Sequence, residues 1–134
     1  MTTTKAAIRT LLGADALYKS YIGASTSPYN TFYGRNPTPP TFPFVVYQLR
    51  PGRSNQENPR ENTSIQYEVS FTVWGQAGNN YEAIADRIKS VLHQKYDSEG
   101  NHYVLVSEPR ELYDEETNAY GLNLVFNLIN RGGV

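Results

Sequence analysis

Between Ser64 and Tyr96 the hydrophobic pattern switches from a period of two to a helical period of about 3.6, and this switch limits the fold more than any other feature. Ile65, Tyr67, Val69, Phe71 and Val73 alternate with Gln66, Glu68, Ser70 and Thr72. One face of such a strand is apolar and the other polar, the pattern of an antiparallel sheet covered on one side. Gly75 and Gly78 end the strand, and Asn79 or Asn80 caps a helix. Its stripe is Tyr81, Ile84, Ala85, Ile88, Val91 and Leu92. Acids lead it (Glu82, Asp86) and bases follow (Lys89, His93, Lys95), an order that complements the helix dipole.

The flanking segments extend this unit. Ala6, Ile8, Leu11, Leu12 and Leu17 predict an N-terminal helix capped by Thr3 or Thr4, with Asp15 capping a further turn that reaches about Tyr21. Residues 23–41 are rich in Gly, Pro, Ser, Thr and Asn and read as a loop. Pro43 to Leu49 reads as a strand, and residues 50–63 as a polar loop. A turn around Asp97 to Asn101 precedes strands from Tyr103 to Glu108 and from Tyr120 to Asn130, the last with Leu122, Leu124, Phe126 and Leu128 on one face. An acidic connection from Pro109 to Ala119 joins them as a long hairpin. The predicted fold is α+β: a mainly antiparallel sheet of about four strands with two helices on one face and long hairpin loops.

All 134 residues suit a single domain, which buries roughly two-thirds of its unfolded surface at this size. No cysteine is present, so neither a disulfide nor a thiolate site is available. A net charge of −1 argues against a protein whose task is gripping nucleic acid. No apolar run is long enough to span a bilayer, and Met1 to Lys5 show no signal-peptide pattern. The expectation is a soluble protein used where it is made, with the Asn62-Thr63-Ser64 sequon a chance match.

Three places in the chain hold residue types that catalysis uses. His93 falls on the polar side of its helix and His102 opens a strand, and neither neighbours a nucleophile motif. Both read as surface residues, because a metal or catalytic site needs convergent ligands. Glu108, Glu111, Asp114, Glu115 and Glu116 crowd one hairpin, which reads as a solvated charge run rather than an acid–base pair on rigid elements. Gly75-Gln76-Ala77-Gly78 precedes a helix but lacks the Lys-Ser/Thr of a phosphate loop. The expectation is a non-enzyme with no cofactor and no metal. Tyrosine, with 11 residues, is the one unusual abundance; without a basic cluster it suits protein interfaces better than nucleic-acid stacking.

Leu11-Leu12 before a Pro-rich loop, then Pro43-Phe44-Val45-Val46-Tyr47-Gln48-Leu49, Tyr67-Glu68-Val69-Ser70-Phe71-Thr72-Val73-Trp74-Gly75 and Tyr81-Glu82-Ala83-Ile84-Ala85-Asp86-Arg87-Ile88, follow a recognisable order. The chain resembles the small tail-completion proteins of long-tailed bacteriophages, also called tail terminators or head–tail joining proteins. That resemblance covers most of the chain through patterned rather than sharp motifs. It implies a virion component of the tail or neck, made in the host cytoplasm. Its partners would be further copies of itself in a homohexameric ring, the tail tube protein and the head-side connector. DNA would pass through the channel without specific binding. The alternatives are a head-closure or tube-like ring subunit and, in another class, a monomeric module that binds a protein or peptide.

The loops carry the candidate contact residues. Arg50, Arg53 and Arg60 face Glu57 and Glu61 in one loop, while the hairpin sets Glu108, Glu111, Asp114, Glu115 and Glu116 against Arg110. These opposite biases could meet across a subunit boundary. Alternatively the acidic hairpin lines the channel, where negative charge lets DNA slide, or both loops are simply solvated. Under the first of these ideas, reversing the charge of Arg50, Arg53 and Arg60 together abolishes ring formation; unchanged oligomer size in light scattering would count against it.

Overall fold

The computed structural model describes residues 2–23, 29–37, 42–51, 64–76, 81–97 and 100–131. The elements run α1 (Thr2–Gly13), α2 (Ala16–Ile22), β1 (Thr31–Tyr33), β2 (Phe44–Pro51), β3 (Ser64–Gly75), α3 (Tyr81–Leu92), β4 (His102–Asp114) and β5 (Ala119–Arg131). The strands form one sheet in the order β1-β2-β3-β5-β4. β1 is parallel to β2, and every other pair is antiparallel. No helix among the described residues is long and apolar enough to cross a membrane.

The expectation of a mainly antiparallel, four-stranded sheet with two helices is therefore overturned. Among the described residues the sheet has five strands and is mixed, and there are three helices. Two physical reasons account for the difference. β1 is only three residues long, between Asn30 at φ 48° and Gly34 at φ 75°, so no alternation is visible inside a turn-rich segment. Asp15 was legible as a cap, but it restarts the chain as a separate helix rather than extending the first. The restart shifts the helical phase: Tyr18 and Ile22 are buried, while Leu17, placed on the apolar stripe, is exposed.

The acidic connection is also mostly strand. β4 continues to Asp114 through irregularities between Leu105 and Ser107 and between Ser107 and Arg110. Pro109, read as the end of the strand, sits at the second of them on an edge strand, where a missing N–H costs no ladder bond. Bulges and a proline also make this edge a poor template for continuous strand pairing.

One sheet face and all three helices share the core. Val45, Tyr47 and Leu49 of β2, Val69, Phe71 and Val73 of β3, and Leu122, Leu124, Phe126 and Leu128 of β5 pack with Ile8, Leu12, Tyr18, Ile22, Ile84, Ala85, Ile88 and Leu92. Phe71 links the strands through a stacked Tyr47 ring at 5.8 Å and an edge-on Phe126 ring at 5.7 Å. The other face is polar at its centre, where the Asn123 amide donates to Ser70 Oγ at 2.8 Å and Thr72 Oγ1 at 3.0 Å. β3, α3 and β4 make a split β-α-β unit, because β5 inserts between the two strands.

Two polar clusters hold the helices in place. After α3, the buried Asp97 carboxylate accepts bonds from Asn101 N (3.0 Å), Asn101 Nδ2 (2.9 Å) and the Tyr103 hydroxyl (2.7 Å). Three donors on one buried acceptor fix the path from helix to β4. At α2, the Asp15 carboxylate caps the helix through Tyr18 N at 2.8 Å. It also takes two bonds from the Arg87 guanidinium of α3, both 2.7 Å, a bidentate clamp between helices.

The Arg87 bonds hold the Asp15 carboxyl below its ordinary value of 3.8; burial opposes them and the Tyr18 N–H adds to them. A folded value below the unfolded one contributes stability that is complete well above pH 3.8 and is lost as the pH falls through the folded value. Arg87→Ala is expected to lower the urea midpoint at neutral pH and to flatten this acid-side loss. Urea denaturation from neutral pH into the acid range checks both.

Candidate functional site

The two edges of the sheet carry unlike surfaces, and each is built by ordinary local chemistry. The acidic one is the β4–β5 hairpin. Asp114 forms its turn: Oδ1 accepts from Glu116 N at 3.2 Å and Oδ2 from Thr117 Oγ1 at 2.9 Å. Asn118 takes φ 51° and accepts a bond from the Tyr113 hydroxyl at 2.9 Å. Glu115 and Glu116 are thereby held exposed at the tip, with Glu111 exposed further back on β4.

Aromatic rings back this acidic edge. Tyr81, at the start of α3, stacks on Tyr120 at 6.2 Å, and Tyr113 lies 5.0 Å from Tyr120. With Glu111, Leu112 and Gly121 these rings line a hollow of about 510 Å³. Tyr113 and Tyr120 are 51% and 43% exposed, an amphipathic surface that the interior does not use. Burial, then the neighbouring Glu82 and Glu111 carboxylates, push the Tyr81 hydroxyl up. On the far face the Trp74 ring covers Gly121, where a Cβ would lie 3.0 Å from ring carbons.

The basic surface lies at the opposite edge, between α1 and the β1–β2 pair. A groove of about 690 Å³ there is lined by Lys5, Arg9, Gly13, Tyr29, Tyr33 and Tyr47 among others. Lys5 and Arg9 are four residues apart and so share a helix face. Lys5 Nζ sits 4.0 Å above the Tyr33 ring. Arg9 Nη2 donates to the Thr31 carbonyl at 3.4 Å, while Arg9 Nε is shielded from water and makes no hydrogen bond. The Tyr47 hydroxyl donates to the Lys5 carbonyl at 3.1 Å; burial raises its pKa and the Arg9 guanidinium opposes that rise. Gly13 at the floor lets the Tyr29 ring lie close; a Cβ there would come within 2.7 Å of the ring, which would have to shift.

Of the residues singled out from sequence, the structure gathers Glu111, Asp114, Glu115 and Glu116 on one hairpin, with Asp114 committed to the turn. Arg50 lies on β2, 58% exposed, and pairs with Glu68 at 3.6 Å. It stands five residues along β2 from Val45, roughly 17 Å away from the row that holds Glu111. Arg50 and the acids are therefore not brought together within one chain. Arg53, Glu57 and Arg60 lie outside the described residues, as do residues 77–80 ahead of α3. Sequence reasoning missed the Lys5–Arg9 groove. The spacing of those two residues was its only signal, and the tyrosines that complete it come from distant segments.

The histidines take minor places. His93 Nδ1 accepts from Leu105 N at 3.1 Å, and His102 stacks on Tyr96 at 4.5 Å. Among the described residues no group of three or more His, Asp and Glu side chains is placed to hold a metal ion.

No protein-family model matches the sequence, and no match was found among curated proteins. The fold does match solved structures. One is a chain described as "Virion of native gene transfer agent (GTA) particle", with a TM-score of 0.72 at 16% identity, over 95% of this chain and 93% of that one.

The packing of Trp74 on Gly121 is directly testable, because Trp74 is the single tryptophan. Gly121→Ala is expected to displace the ring, shifting its fluorescence, and to cost about 1 kcal/mol of stability.

Proposed function

We propose that this chain is a structural, non-catalytic virion protein that forms a ring at the head-proximal end of a long phage tail tube. The ring ends tube growth and presents a surface to the head-side connector, with DNA passing through its channel without specific binding. One observation carries the reading: the fold is shared, over nearly the full length of both chains, with a chain of a gene transfer agent virion. The sequence resemblance to tail-completion proteins points the same way from independent features.

The shape of the surface supports it. A ring subunit needs two different contact patches, one for each neighbour. This sheet ends on one side in an acidic, tyrosine-rich hairpin and on the other in a basic groove. The partners are then further copies of this chain, the tube protein and the connector, and the place of action is the tail or neck of the particle.

Native mass spectrometry of the chain, alone and mixed with tail tubes, together with electron microscopy of the mixture, tests this. The expected result is a closed ring of one defined mass seated at a single tube end. A monomer under all conditions, or decoration along the length of the tube, would overturn it.

A further inference from the structure

We infer that the β4–β5 hairpin of one copy seats its acids in the α1 groove of the next copy, making the head-to-tail contact of the assembly. This rests on the ring reading above and names the surfaces that close it.

The sheet register aligns the two surfaces. Glu111 is level with Leu122, Leu122 with Val73, Val73 with Val45, and Val45 with Thr31. Thr31 is the residue whose carbonyl takes the Arg9 bond. Arg9 and Glu111 therefore sit at the two ends of one row across the sheet. They also lie on the same side of it. Glu111 shares a face with the buried Leu122, and the Thr31 hydroxyl meets Tyr18 of α2 beneath the helices.

β4 runs antiparallel to β1, as the chain of pairings requires. Moving from Glu111 towards the hairpin tip thus corresponds to moving from Thr31 towards Tyr29 and the Gly13 end of the groove. A second copy laid edge to edge with its strands aligned places Glu111 near Arg9, and Glu115 and Glu116 further down the same groove. Within one chain the surfaces cannot meet, because four strand spacings, roughly 19 Å, separate them.

The chemistry on the two sides is complementary. The groove offers two cations, Lys5 and Arg9. The hairpin offers the carboxylates of Glu111, Glu115 and Glu116, which are exposed. Tyr113 and Tyr120 on one side and Tyr29 and Tyr33 on the other add amphipathic area of the kind interfaces favour. Each copy carries both surfaces, so the contact repeats from copy to copy and closes when its rotation does.

The natural chain has no cysteine, so a disulfide placed across the contact is unambiguous. Thr10→Cys lines the groove and Glu115→Cys lies at the tip. The doubly substituted chain, oxidised and run on a denaturing gel, is expected to give a ladder of covalent multimers, whereas either single variant stops at dimers. Lys5→Glu, or independently the tip variant Glu116→Lys, should cut the ladder by about tenfold, and the two reversals together should restore it. The Glu116 arm avoids the groove altogether, so a misfolded Lys5 variant does not decide the result. A ladder insensitive to both reversals overturns the contact. A ring present by native mass without any ladder also overturns it while leaving the ring reading standing. Loss of both ring and ladder ends both.

Discussion

β3 is paired on both sides, to β2 from Tyr67 to Trp74 and to β5 from Ser64 to Gly75, and the rest of the molecule hangs from that pairing. Its alternation leaves no freedom of register. A one-residue slip would turn Val69, Phe71 and Val73 to the polar side and strand Ser70 and Thr72 in the core. With β3 fixed, Tyr47 and Phe126 meet Phe71 from either flank, and α3 has a defined apolar surface to cover.

Polar contacts then settle what hydrophobic burial leaves loose. Apolar packing is non-directional and tolerates sliding of a helix over a sheet. The bidentate Asp15–Arg87 pair fixes α2 against α3, and the three bonds to Asp97 fix where β4 begins. Because β4 begins there, its far end projects as the acidic hairpin, and its bulges keep the exposed edge from acting as a template for indiscriminate strand pairing.

The outcome is a domain whose interior is conventional and whose edges differ from one another. Acid and tyrosine lie at one edge; Lys5, Arg9 and tyrosine lie at the other. A self-complementary patch would favour closed pairs, whereas two unlike patches favour propagation around a ring or along a filament. That asymmetry, more than any single residue, is the feature of the fold on which the proposed assembly role rests.

The sequence by itself determined the central unit. The period-two run of β3, the helical stripe of α3, the Asp15 cap and the apolar face of β5 are local patterns, and each is where its pattern put it. Tertiary structure alone decided the parallel β1, the continuation of β4 past Pro109 and the basic groove. A three-residue strand has no periodicity to read, and a proline is harmless only once its strand is known to be an edge. The groove joins α1 to tyrosines from two later segments. Contacts between residues far apart in the chain leave no spacing signal, so the acidic hairpin was visible in the sequence while the basic groove at the opposite edge was not.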